Sequence, residues 1–560
     1  MIERAAGRSV LKSCGGDSGC AESKLRGKRI SRGFLPIGEA CDSNRASRGD
    51  MDDHIEGGSV NFEQLFTRAD KFASALVSAK LAGGGDCAVT FDELVGQVGQ
   101  LADKLASAGL IAGMQIGLQA PNCYEYLLWD LAAVKVGAVI HAVPEDLQSD
   151  MLAAIARKQS IALWVCEKPE HIPEISNKVS LADTLTEESF PVDRNAVPVT
   201  DGDLHSRVYS SGSSGYLKGL NISRRGTELL VSDFISAFDL KEADSHLIFL
   251  PLSNYQQRLS VYGCLWSGTS FKVARHTTVF QDIGRYKPSF IIAPPAIYEN
   301  VYNLYGRAAD AKEKLAAFLG GNIRFMITGM APIRFDVLKA FNDLGFPLLE
   351  AYGVTETGVI AWNTRQNQRV GTVGKPIHPG HVHLTDDSEV IIRRPFPLSK
   401  GYFDSTESDS ANTFLNDGSI ATGDIGALDA DGYLTLNGRK KEIIVTSSGA
   451  KFHPEELERS LSSLGGVNHC IVLMSKSDGR LVAVLFVAAQ GDSGVASSIE
   501  SGVQAVNASL PDYKKIHRWV LTDAVPSIDN GMLTRNLKYD RKGTYRHFQV
   551  EIERQKGRHR

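Results

Sequence analysis

Cysteine is scarce in this chain, eight among 560 residues, and the eight are scattered. Cys14 and Cys20 stand too isolated for a metal knuckle, while Cys87, Cys123, Cys166, Cys264 and Cys470 sit mostly among apolar neighbours. This pattern excludes a disulfide scaffold and reads as buried or incidental thiols in a reducing cytosol. A dominant charge sign is also missing. The net charge of −4 gives no electrostatic case for nucleic acid, or for an anionic membrane as an obligatory partner, and leaves peripheral membrane contact open. No apolar run is long enough to span a bilayer, since even LLWDLAAVKVGAVIHAV is broken by Asp130 and Lys135. The N-terminus lacks a continuous apolar signal core, and no period marks a repeat protein. These absences point to the cytoplasm.

What is present is the composition of a soluble globular protein, 43% hydrophobic and 22% charged, long enough for two to four compact units. Residues 1–55 are rich in Gly, Ser and Arg without helical or strand period, which predicts a disordered extension, with Met51 read as the true start. From about 60 to 360 strands and helices alternate, as in stacked α/β layers. TFDELVGQVGQLADKLASAG opens with Thr90 and Glu93 in capping-box spacing, places Leu94, Val98, Leu101 and Leu105 on one helical face, and stops at Gly109. After about 365 short β segments separated by NDG and ADG turns predict hairpins. The tail returns to mixed α/β, with Pro454 opening a helix whose face carries Leu457, Leu461 and Leu464.

The stretch VYSSGSSGYLKGL, Val208 to Leu220, packs serines and glycines around one lysine. A P-loop needs glycine before its lysine and Ser or Thr after it, whereas Leu217 and Gly219 flank Lys218, so a P-loop ATPase is excluded. A hydrolase elbow needs Gly-x-Ser-x-Gly, and GSSG is one residue short. Two readings remain: a loop whose amides, hydroxyls and lysine hold phosphate, and a flexible surface linker.

In context, YSSGSSGYLKG resembles the phosphate loop of the adenylate-forming superfamily of acyl-CoA synthetases, luciferases and adenylation domains. Ser211, Gly212, Ser213, Ser214, Gly215, Lys218 and Gly219 match, with Leu217 in place of the usual proline. FLPLSNYQQR, ITGMAPI, EAYGVTETG, GTVGKP and SKGYF follow in the family's order. The longest match is TGDIGALDADGYLTLNGRKKEIIVTSSGAKFHPEELE. LPDYKKIHRWVLTD and NGMLTRNLK are similar to the long-chain fatty acyl-CoA synthetase branch.

The resemblance implies an α/β fold. A large N-terminal domain over 56–438 would hold layered α/β subdomains plus a β-rich subdomain, and a small mobile α+β domain would occupy 439–560. It implies an ATP- and Mg²⁺-dependent acid–thiol ligase that makes acyl-AMP from a fatty or other carboxylic acid and passes the acyl group to coenzyme A. Transfer to an acyl-carrier protein, or a non-catalytic relic of the fold, are the alternatives. Ser211 to Lys218 would cradle the β- and γ-phosphates, and Glu356 would bind the metal. Tyr352, Gly353 and Thr355 would shape the adenine and α-phosphate site, and Asp424 would accept from the ribose hydroxyls. Arg439 would contact ribose or phosphate, and Lys538 would face the α-phosphate. Lys441 would be the hinge. Asn254, where many relatives carry histidine, and Gly329 with Met330 would lie at the substrate pocket. Taken singly, Glu356 would pass for a surface acid, Asp424 for a turn residue and Arg439 for a surface charge; the ordered series gives them their roles.

Overall fold

The computed structural model describes residues 59–554, apart from Pro173, 212–216, 447–448, 488–492 and 535–537. The extension expected over 1–55 lies outside them. Two sheets form the large part of the chain. One has nine strands, with a parallel centre from Leu348–Val354 through Phe325–Thr328, Phe290–Ala293, Ser245–Ile248 and Ser270–Val273 to Leu76–Lys80, and antiparallel strands at both edges. The other has seven, ordered Ser399–Asp404, Leu217–Ser223, Leu204–Ser211, Val139–Val143, Gln115–Gln119, Ile161–Cys166 and Lys178–Ser180. Helices Phe91–Ala108 and Tyr124–Val136 belong to the main apolar cluster, which joins side chains of both sheets. The expected capping box is present, Thr90 and Glu93 each accepting from the other's backbone N–H, and Gly109 ends the helix at φ 105°, a left-handed turn that favours glycine.

Asp130 lies in a helix buried all round, where a lone carboxylate would be costly. The fold answers it with Arg258, equally buried, while Tyr262 Oη donates to Asp130 Oδ2 at 2.7 Å and Arg258 donates to Ser206 Oγ at 2.7 Å. The group that interrupts the apolar run is therefore half of an interior ion pair. Asp130→Ala leaves the guanidinium uncompensated. We expect a stability loss of about 3 kcal/mol or more, read as a lowered urea midpoint. Pairing Asp130→Leu with Arg258→Met should restore most of it, and equal midpoints for the single and double variants would refute this account.

A four-stranded antiparallel sheet, Val382–Leu384, Glu389–Ile392, Ile420–Leu428 and Leu434–Arg439, follows the α/β layers. The tail builds a three-stranded sheet of Val467–Met474, Leu481–Val487 and Ile516–Thr522. All seven residues of Leu481–Val487 are buried, and they alternate between two clusters. Leu481, Ala483 and Leu485 join Leu457 and Leu461; Val482, Val484 and Phe486 join Met532, Phe548 and Ile552. The helix at Pro454 ends at Ser462, so Leu464 packs from the loop beyond it and not from the helical face its spacing suggested.

Candidate nucleotide and acid site

Strand ends and turns from separate sheets supply the side chains. Leu348–Val354 and Gly358–Trp362 form an antiparallel pair whose turn is Thr355–Thr357, which puts Glu356 at its tip. A Cβ on Gly353 would fall 2.2 Å from the Gly358 carbonyl oxygen, so this turn is built on the absence of a side chain there. The hairpin made by the ADG turn sets Asp424 opposite Arg439. Arg439 Nε meets Asp424 Oδ1 at 2.9 Å, and Tyr352 Oη donates to Asp424 Oδ2 at 2.7 Å. Burial raises the Asp424 carboxyl above its usual range, with Arg439 and Tyr352 pulling it back. Tyr352, Asp424 and Arg439 thus form one unit joining two sheets.

A second unit surrounds Glu356. Tyr402, from the strand Ser399–Asp404, donates its hydroxyl to Glu356 Oε1 at 2.7 Å. Its ring centroid lies 5.5 Å from Lys218 Nζ, and that ammonium is 2.8 Å from Asp409 Oδ1. Lys441, the expected hinge, lies in a short helical turn at Lys440–Glu442, exposed and 3.9 Å from the same Asp409 oxygen. The partners of Tyr402 and Asp409 are not readable in the sequence, because they lie 46 and 191 residues away. The SKGYF segment was the only signal that could have drawn attention to Tyr402.

Lys538 lies within electrostatic reach of both units. Its neighbours in electrostatic reach are Arg439, Asp424, Glu356 and Glu442. Burial and the Arg439 guanidinium push its ammonium down to about 8, against the pull of the three carboxylates. The structure thus assembles Tyr352, Glu356, Asp424, Arg439 and Lys538 from distant parts of the chain, with Lys218 joined to Glu356 through Tyr402.

The rest of the expected set is more dispersed. Gly212, Ser213, Ser214 and Gly215 lie outside the described residues; Ser211 pairs with Leu217 in the hairpin leading to Lys218. Thr355 is half-buried beside Glu356. Asn254 caps the helix Tyr255–Ser267, its Oδ1 accepting from the Gln256 N–H at 3.3 Å, so the amide nitrogen is left as its donor. Gly329 is held against the Ala351 carbonyl, where a Cβ would come within 2.8 Å. Met330 follows it at φ 72°, a left-handed conformation that costs an L-residue about 1 kcal/mol or more.

A magnesium ion fits this donor set in one way. Among the described residues no group of three His, Cys, Asp or Glu side chains could hold a metal, whereas Glu356 offers a hard carboxylate oxygen beside Lys218. One carboxylate suits Mg²⁺ that takes its remaining oxygens from phosphate and water. Among the described residues no helix is long and apolar enough to cross a membrane.

The sequence profile of the AMP-binding enzyme family matches residues 79–403, and that of the AMP-binding enzyme C-terminal domain matches residues 441–556. The long-chain-fatty-acid–CoA ligase FadD15 of Mycobacterium bovis is 26% identical over 552 residues, covering 83% of this chain and 92% of its own. The anthranilate CoA ligase AuaEII, solved with anthranoyl-AMP, superposes with a TM-score of 0.72 at 18% identity, covering 88% of this chain and 97% of its own. ATP-bound MatB from Rhodopseudomonas palustris gives a TM-score of 0.71 at 21% identity, with 88% and 99% covered.

Proposed function

The chain belongs to the AMP-binding enzyme family, and from that premise we propose that it is an ATP-dependent acid–thiol ligase acting on long-chain fatty acids. One observation carries the proposal: Tyr352 and Arg439 hold the Asp424 carboxylate at 2.7 and 2.9 Å, and Lys538, 99 residues beyond Arg439, comes within electrostatic reach of that carboxylate and of Glu356. In the reaction a carboxylate oxygen bonds to the α-phosphorus of ATP. The bond from that phosphorus to the bridging oxygen breaks, and pyrophosphate leaves with the electron pair. A coenzyme A thiolate then attacks the acyl carbon and displaces AMP.

The chain's own residues serve these steps by position and charge. Lys218 and the Ser211–Gly215 loop hold the β- and γ-phosphates. Tyr352, Gly353 and Thr355 shape the nucleotide site, and Asp424 accepts from ribose hydroxyls as an acceptor-only group. Arg439 contacts ribose or phosphate and favours the charged form of Asp424 against the effect of burial. Lys538 brings a cation to the α-phosphate, where negative charge grows as the carboxylate attacks. Asn254 orients the acid through its amide, and Gly329 with Met330 shapes the pocket. Mg²⁺, held by Glu356, would neutralise triphosphate charge. Lys441 is the hinge about which residues 439–560 turn between the two steps.

The long-chain assignment draws support from the Mycobacterium bovis relative and from the NGMLT segment. Pyrophosphate release across acids of increasing chain length, with and without coenzyme A, tests it. We expect release that needs acid and ATP, rises with coenzyme A and is greatest for long chains. A preference for short or aromatic acids would overturn the substrate class. Acyl-AMP that coenzyme A cannot discharge would indicate a carrier-protein acceptor, and no release would overturn the ligase reading.

A further inference from the structure

Arg334 is a charged residue that the site described above does not use, yet it is only 6% exposed. It precedes the helix Phe335–Asp343, just after the Gly329–Pro332 turn. Its guanidinium clasps Asp336, with Nε 3.0 Å from Oδ1, and its backbone N–H donates to buried Glu299 at 3.3 Å. Its remaining arm crosses to the C-terminal part of the chain, where Nη1 donates to the Asn468 carbonyl at 2.9 Å.

The residue after Asn468 continues the connection. His469 stacks on Tyr539 with ring centroids 3.5 Å apart and planes 8° from parallel. Burial and the Arg541 and Arg334 guanidiniums push the imidazole down to about 3, so it stacks as a neutral ring. Tyr539 directly follows Lys538 and bridges to Leu533. The Thr534 N–H donates to the Lys538 carbonyl at 2.7 Å, and the Lys538 N–H to Thr534 Oγ1 at 3.2 Å. On the far side Arg541 is gripped by Glu458 and by Glu442, the latter at 3.1 Å. Lys538 is thus held at its backbone by Thr534, and the adjacent Tyr539 connects it through His469 and Asn468 to Arg334.

We propose that Arg334 is a positioning residue: through Asn468 and the His469–Tyr539 stack it seats Lys538 toward Asp424 and Glu356 for adenylation, and this seam parts for thiol transfer. The inference rests on the ligase reading. Its mark is a split between half-reactions. A contact made only in the adenylating arrangement speeds the first step and gives nothing to the second, whereas general damage to packing slows both.

The test uses the full chain with Arg334→Met, which keeps the aliphatic stem and removes the donors, Arg334→Lys, which restores one, and Tyr539→Leu, which removes the stack. Carboxylate-dependent ATP–pyrophosphate exchange should fall about tenfold to a hundredfold in Arg334→Met, the scale of one hydrogen bond to a charged group. Discharge of supplied acyl-AMP by coenzyme A should stay at the wild-type rate or rise. Arg334→Lys should recover part of the exchange, and Tyr539→Leu should repeat the loss. Equal loss of both half-reactions, or loss of neither, would overturn the seam. If the wild-type protein exchanges no pyrophosphate, the ligase reading fails and hydrogen exchange decides the seam by itself. Faster exchange at the Thr534 and Lys538 amides in Arg334→Met would uphold it, and unchanged exchange would overturn it.

Discussion

Lys538→Ala is expected to lower carboxylate-dependent ATP–pyrophosphate exchange by about a hundredfold to a thousandfold, the scale of losing one preorganised donor to a developing anion. The lysine sits among one cation and three carboxylates, and burial with Arg439 brings its ammonium down to about 8. It is therefore charged at neutral pH and loses its proton as pH rises through about 8. In the wild-type enzyme kcat/KM for ATP should fall across that range, because this ratio reports groups of the free protein. The alanine variant should lack that limb. The kcat profile should fall at higher pH, since bound phosphate holds the proton on. A lysine whose proton is bound less tightly after folding than before costs the folded state stability wherever it is charged. Its removal should leave the melting temperature unchanged or higher, which separates a catalytic loss from an unfolding one. Exchange within a few-fold of wild type would remove Lys538 from the role assigned to it.

Local signals and distant contacts differ sharply in how much of this molecule they make readable. The helix after Thr90 is legible because its cap, its apolar face and its terminal glycine lie within 20 residues. The hairpin that carries Asp424 and Arg439 is legible in its ADG turn, but a bulge between Ile425 and Gly426 shifts the register by one residue and so brings Asp424 opposite Arg439, which the turn alone does not specify. Strand order is another matter. Ser270–Val273 lies between Leu76–Lys80 and Ser245–Ile248, a choice made by which faces are apolar once the layers stack, and no local pattern encodes it. The same limit applies to Tyr402 beside Glu356, Asp409 beside Lys218 and Arg258 beside Asp130. Each partner is an ordinary residue in its own segment and acquires meaning only by meeting the other. The ordered family motifs bridge part of that gap, since they name residues whose partners are far away; Asp409 and Arg334 fall outside those motifs, and Tyr402 lies within SKGYF without a role assigned to it.

Asp424→Ala should reduce kcat/KM for ATP by about a hundredfold, ~3 kcal/mol, because two ribose hydroxyls would each lose a charged acceptor that contributes about 1.5 kcal/mol or more. The site gives this change a second consequence. Asp424 accepts from Tyr352 at 2.7 Å and meets Arg439 at 2.9 Å, and it is one of the carboxylates that hold the proton on Lys538. Asp424→Asn preserves the shape and removes the charge, so Lys538 is left facing Arg439 with less compensation. The alkaline limb of kcat/KM should then move below 8. Arg439→Gln removes the neighbouring cation instead, and the limb should move upward. Opposite displacements from two adjacent substitutions follow from Coulomb's law acting on one lysine, and loss of a general structural support would not produce them. The measurement is kcat/KM for ATP between about pH 6 and 10 in the three proteins. Limbs that coincide, or that move in the same direction, would separate Lys538 from the Asp424–Arg439 pair.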